Sequence, residues 1–242
     1  MLNLTLGRGG QPLRVLCLGS HSDDLEIGCG GTIMTLIATG PPVVVDWIVF
    51  SAPGERGVEA RTGAARFLEG AAEQVVRVET FRDGFFPYVG YEIKDYFEEL
   101  KGRCTPDVIF THYRDDRHQD HRLISELTWN TFRDHLILEY EIPKYDGDLG
   151  SPNAFVHLDE GTSRLKARTI ASTFQSQRNR HWFTEDAFLA LMRLRGIESA
   201  SPTGYAEGFF CRKAIVTLEP ASGSGESRAS GMAAATRDAR RV

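Results

Sequence analysis

The sequence predicts an α/β fold in three layers, with a mostly parallel sheet between two sets of helices. Three observations lead there. Short apolar runs ended by polar residues alternate along the chain with stretches whose apolar residues recur at helical spacing. The runs are only four to ten residues long and rich in Val, Ile and Leu, as are strands covered on both faces. The order strand, helix, strand, helix repeats, which favours parallel neighbours joined by helical crossovers. A chain of 242 residues, 41% hydrophobic and 25% charged, suits one such domain with a short appendage.

Residues 13–19 (LRVLCLG) form the first strand, and 28–39 a helix whose small residues suit close packing. Residues 43–50 (VVVDWIVF) are the second strand, 57–70 a helix with Ala60, Ala64, Phe67 and Leu68 on one side, and 75–78 a third strand. A helix over 91–103 leads through Pro106 to a fourth strand at 107–111 (DVIFT). A helix from 120 to about 134 precedes an alternating strand at 136–142 (LILEYEI). A strand at 153–158, helices near 159–174 and 184–196, and a last strand at 209–218 complete the order. Composition changes after Pro220: residues 221–242 hold six Ala, four Ser, three Gly and four Arg with no aromatic residue. Such a stretch cannot bury enough apolar surface to offset its ordering entropy, so the domain is expected over 1–220 and a flexible tail over 221–242.

Charge and cysteine usage narrow the partners. A net charge of −5 lacks the basic footprint of a general nucleic-acid binder. Cys17, Cys29, Cys104 and Cys211 have no C-x-x-C spacing, so neither a thiolate zinc site nor a disulfide framework is expected. No secretory h-region and no apolar stretch of about 20 residues is present, and a cytoplasmic location follows as the expectation.

In open parallel sheets ligands bind beyond the carboxyl ends of the strands. Two segments fall there. The first, S-H-S-D-D-L-E-I-G-C-G-G from Ser20, places His21, Asp23 and Asp24 directly after an apolar strand. Imidazole and carboxylate both ligate zinc, so His21 and Asp24 can offer a nitrogen and an oxygen to one cation, leaving Asp23 free beside it. Taken alone, the Asp-Asp pair serves equally well as an N-terminal helix cap. Gly28, Gly30 and Gly31 then permit close backbone approach. The second segment, H-Y-R-D-D-R-H-Q-D-H from His112, holds three of the seven histidines in ten residues. A single such histidine is more often a satisfied polar residue than a ligand; two ionisable clusters at equivalent strand ends favour metal or acid–base work.

These residues, H-x-D-D near the start and H-x-D-H about a hundred residues on, resemble the zinc-dependent N-deacetylases of the LmbE-like, or PIG-L, family. The family's first motif usually reads H-P-D-D; here Ser22 stands at the proline position. The resemblance covers residues 15–121, and the E-I-P-K-Y-D-G-D stretch from Glu141 resembles a feature of one subgroup. It implies a Rossmann-like fold and a Zn2+ cofactor held by His21, Asp24 and His121. It further implies Asp23 as general base, and His118 as the histidine that assists the tetrahedral intermediate or the leaving amine. Asp120 is implied as an orienter between two histidines. The implied reaction removes an N-acyl group, acetyl first among them, from an amino sugar or its conjugate. The partners are then a small-molecule amino-sugar or glycoconjugate substrate and, if the chain self-associates, its own copies in a homo-oligomer.

Further residues carry two readings each. Arg56 and Arg61 suit a phosphate or carboxylate at the pocket mouth, or a solvated helix face. Lys144 and Tyr145, in a loop marked by Pro143 and Gly147, suit a hydroxyl-rich sugar, or a turn capped by Asp146. Asp116 is a pocket candidate, whereas Asp115 pairs with neighbouring arginines. Phe85, Phe86 and Tyr88 suit a lid, a stacking surface or the core. Two rival functions are a nucleotide binder using G-C-G-G and a non-enzymatic metal-binding module. The glycine spacing is not G-x-G-x-x-G and carboxylates precede it, which disfavours phosphate. The full set His21, Asp23, Asp24, His118 and His121 disfavours the module.

Overall fold

The computed structural model describes residues 3–7 and 9–217; the expected tail at 221–242 lies outside the described residues. Strands β1 (Leu13–His21), β2 (Val43–Ser51), β3 (Glu73–Val78), β4 (Val108–His112), β5 (Leu136–Tyr140), β6 (Ala154–Leu158) and β7 (Tyr205–Cys211) form one sheet. Their order is β3-β2-β1-β4-β5-β7-β6. The first five run parallel, and β7 pairs antiparallel with both β5 and β6. Helices α1 (Asp24–Thr39), α2 (Glu55–Phe67), α3 (Gly90–Arg103), α4 (Gln119–Thr131), α5 (Glu160–Thr173) and α6 (Glu185–Glu198) connect them.

Alternation along the central strands divides the core in two. Val15, Cys17, Val45, Trp47 and Val49 point to one face and meet Ile33, Phe67 and Phe174 from α1, α2 and the end of α5. Leu16, Leu18, Ile48 and Phe50 point to the other and meet Phe97 of α3 and Ile124 of α4. Both faces being covered explains why β1 and β2 read as nearly unbroken apolar runs.

Several expected boundaries move. The helix expected from 28 begins at Asp24, because Asp24 and Glu26 supply the negative charge that a helix N-terminus favours, and Asp24 Oδ2 accepts the His21 N–H at 2.6 Å. The last strand, expected at 209–218, instead spans Tyr205–Cys211, where it finds partners on both sides. Side-chain caps start three helices: His118 on α4, Asp159 on α5 and Thr184 on α6.

The chain progresses outward from β1 to β3 and then returns to place β4 on the other side of β1. A crevice opens at such a reversal, beyond the carboxyl ends of the two strands. His21 ends β1 and His112 ends β4.

Candidate metal and catalytic site

His21, Asp24 and His121 converge in this crevice, all buried. β1 delivers His21, the first turn of α1 delivers Asp24, and the first turn of α4 delivers His121. His21 Nδ1 lies 3.2 Å from His121 Nε2 and 3.3 Å from Asp24 Oδ2, and the last two atoms are 3.5 Å apart. Ligands about 2.0–2.1 Å from a tetrahedral zinc stand about 3.3–3.4 Å from one another, so the three atoms have the spacing of one face of such a site.

Neighbouring carboxylates fix the orientation of both rings. His121 Nδ1 donates to Asp116 Oδ2 at 2.9 Å, which leaves Nε2 unprotonated. His21 Nε2 faces Asp120 Oδ2 at 3.3 Å and Asp83 Oδ1 at 3.2 Å. Burial lowers the pKa of this ring, but Asp24, Asp120 and Asp83 outweigh it and raise it well above the usual value, so a cation bound at Nδ1 would take the place of a proton. Carboxylate–histidine pairs of this kind orient metal ligands and raise their basicity. His112 is also close, its ring stacked on that of His121 with centroids 3.9 Å apart. Its Nε2 lone pair, however, already accepts the Ser20 N–H at 2.9 Å. His112 therefore forms the back wall of the cluster, and burial lowers its pKa against the pull of Asp24.

Asp23 occupies the N-cap position of α1 but makes no side-chain capping bond. The capping alternative for this residue falls away, and its buried carboxyl interacts electrostatically with the neighbouring Asp24, Arg56 and His21. Burial and the charge of Asp24 push the Asp23 carboxyl up to about 6. Burial acts on Asp24 in the same direction, but the His121, His112 and His21 rings outweigh it and hold that carboxyl well below its usual range. Two adjacent carboxyls thus acquire opposite characters, one proton-accepting near neutrality and one a permanent anion.

His118 stands over the cluster, its ring centroid 4.8 Å from that of His21 and 4.5 Å from that of His121. Its Nδ1 accepts the Asp120 N–H at 3.3 Å, which leaves Nε2 as the donor of the neutral ring. Burial and the adjacent His121 and His21 rings lower its pKa.

The remaining expected residues divide. Arg56 reaches the site, with Nε 3.3 Å from Ser22 Oγ and Nη1 2.7 Å from Asp83 Oδ2. Asp120 is fully buried and binds Gly84 N–H at 2.6 Å and Phe86 N–H at 3.1 Å besides His21, so it positions rather than meets substrate. Asp116, expected at the pocket, is turned inward: it accepts the His118 N–H at 2.7 Å and Lys144 Nζ at 2.9 Å in addition to His121. Lys144 Nζ is shared with Asp148 at 2.6 Å, which commits the ammonium to the frame behind His121. Tyr145 lies on the rim, 65% exposed, its hydroxyl accepting the His181 N–H at 3.3 Å. Asp83 and the back-wall role of His112 were not singled out by sequence. Both residues stand at the carboxyl edge of the sheet, after β3 and at the end of β4, and that position is the signal that points to them.

Residues 16–132 match the family model for PIG-L, GlcNAc-PI de-N-acetylase. Residues 16–132 carry the signature of the PIG-L, or LmbE-like, domain. All three ligand candidates, Asp23 and His118 lie inside the matched segment. Solved structures share the domain's architecture. The conserved protein TT1542 from Thermus thermophilus is 20% identical, with a TM-score of 0.64 over 85% of this chain and 97% of its own. The N,N'-diacetylchitobiose deacetylase from Pyrococcus horikoshii is 21% identical, with a TM-score of 0.59 over 82% of this chain and 83% of its own. The 4-carboxy-2-hydroxymuconate hydratase GalB from Pseudomonas putida is 16% identical, with a TM-score of 0.60 over 86% of this chain and 100% of its own. The shared architecture thus carries deacetylation in one neighbour and hydration in another, and the residues of the site must decide between them. Among the described residues no helix is long and apolar enough to cross a membrane.

Proposed function

We propose that the protein is a zinc-dependent N-deacetylase acting on an amino sugar or an amino-sugar conjugate. The observation that carries this reading is the convergence of three ligand atoms 3.2–3.5 Å apart, with a buried Asp23 that caps no helix next in sequence to Asp24. His21, Asp24 and His121 would hold the zinc, leaving a position open, the pattern of catalytic rather than structural sites. Zinc held there supplies Lewis acidity toward water and toward the acyl oxygen.

The rest of the chemistry belongs to the chain. Asp23 takes a proton from the attacking water as its oxygen bonds to the amide carbon. His118 offers its Nε2 hydrogen to the developing oxyanion or to the nitrogen as the carbon–nitrogen bond breaks, and the products are a carboxylate and a free amine. Asp116 and Asp120 keep the two ligand rings in place throughout. Arg56 and Asp83, paired beside Ser22, line the approach to Asp23 and suit the hydroxyl groups of a sugar ring. The amino-sugar assignment draws on the Pyrococcus horikoshii neighbour, a diacetylchitobiose deacetylase.

Asp23→Asn is expected to retain about one zinc per chain by metal analysis and to lower acetate release from N-acetylated sugars about 100-fold or more. Undiminished release by the metal-loaded variant would remove Asp23 from the mechanism. A parent protein that hydrates unsaturated carboxylic acids and releases no acetate from any acetamide would overturn the reaction class.

A further inference from the structure

The loop between α5 and α6 has no part in the chemistry above, yet it borders the crevice on two sides. Phe174 and Phe183, both buried in the core, anchor its ends. Within it Ser176 donates its N–H at 2.8 Å and its hydroxyl at 2.6 Å to the Glu59 carboxylate. Glu59 lies one turn after Arg56 on α2, the helix whose start adjoins Ser22 and Asp23. Five residues later the His181 N–H meets the Tyr145 hydroxyl, next to the Lys144 that braces Asp116 behind His121. Five residues span at most about 18 Å, so the segment is a short arch tied at the β2 side of the crevice and at the loop following β5.

Between the two ties the arch carries Gln177, Arg178, Asn179 and Arg180, and from residue 174 to 183 it holds no acidic residue. Arg178 and Arg180 are exposed, and among the described residues neither guanidinium has an ion pair or hydrogen bond. This contrasts with Arg56, Arg195 and Arg212, each paired with a carboxylate. Asp23 and Asp83 place carboxylates at the crevice, and a positive charge at its mouth favours entry of an anionic substrate. Guanidinium is the side-chain group best matched to the planar fork of a carboxylate or to phosphate oxygens.

Resting on the deacetylase reading for the sugar itself, we infer that the arch is a subsite for an anionic substituent, phosphate or carboxylate, on the substrate, with Arg178 and Arg180 as its recognition groups. The acetamide then sits at Asp23 while the charged group extends beneath the arch.

Binding is measured by calorimetry on the zinc-loaded protein with three probes: N-acetylglucosamine, N-acetylglucosamine 1-phosphate and N-acetylmuramic acid. This readout does not depend on turnover, so it stands even if no acetamide is hydrolysed. At least one charged probe is expected to bind about 10-fold or more tightly than the neutral sugar, and which one does so names the anion. Arg178→Gln with Arg180→Gln should abolish that difference. Arg168→Gln, which removes a like charge from the exposed face of α5, should leave it intact. Far-UV circular dichroism of the double variant should match the parent. Equal binding of all three probes by the parent, or a preference that survives the double substitution, or one lost equally in Arg168→Gln, would overturn the assignment.

Discussion

Asp116 shows how much a single buried carboxylate can organise. One oxygen holds the His118 backbone and the other is shared by His121 Nδ1 and Lys144 Nζ, so the capping histidine, a ligand histidine and a loop lysine meet on one side chain. The imidazole and ammonium hold its pKa well below the usual carboxylate range even though burial opposes them. Asp116→Asn keeps the size and loses the charge, and is expected to weaken zinc affinity about 10–100-fold in a chelator competition while the thermal unfolding signal stays cooperative. At this scale the sequence was legible for residue type and segment but not for direction. The crowding of histidine and aspartate between His112 and His121 announced a site, whereas whether Asp116 faces inward or outward depends on the loop after β5, which arrives with Lys144 from 28 residues away. Asp83 escaped for a related reason: its partners His21 and Arg56 are remote in the chain.

Helix α1 is the element on which the site turns. Its first turn carries Asp24 at the end of β1, and its glycines let the rest of it lie unusually close to its neighbours. A Cβ at Gly28 would stand 2.2 Å from the Tyr140 ring, and one at Gly31 would stand 2.8 Å from Glu207 Oε1. Tyr140 cannot yield easily, since its hydroxyl donates to Leu18 O at 2.8 Å and its ring meets His112. Gly28→Ala is therefore expected to cost about 1–3 kcal/mol by urea denaturation, despite the better helix propensity of alanine. The glycine run was visible in the sequence as a sign of close approach, though not what approached it. The helix start was misjudged by four residues because S-H-S-D-D resembles a polar loop; a tertiary contact, Asp24 to the His21 N–H, makes it the first turn instead.

Across the whole molecule, two halves do different work. The five parallel strands and α1 to α4 hold every candidate ligand, and their periodic apolar runs made that half readable from the sequence. The second half, with α5, α6, β6 and β7, braces and walls the crevice through buried ion pairs that no local pattern encodes. Arg195 of α6 grips Glu141, just past β5, through two bonds of 2.6 Å, and reaches Gly150 O at 3.1 Å. Arg195→Met leaves Glu141 buried and unpaired, and is expected to lower stability by about 3–5 kcal/mol in chemical denaturation; adding Glu141→Leu should restore most of it. The sheet order was equally hidden, because β7 inserts between two strands that precede it in the chain. That insertion sets a timetable. During synthesis the metal-binding half leaves the ribosome first, with its five parallel strands able to pair, while β5 keeps one edge open and β6 waits for its partner β7. A chain arrested short of residue 205 would own every ligand of the site and present β5 as a sheet edge, which β7 covers in the finished fold.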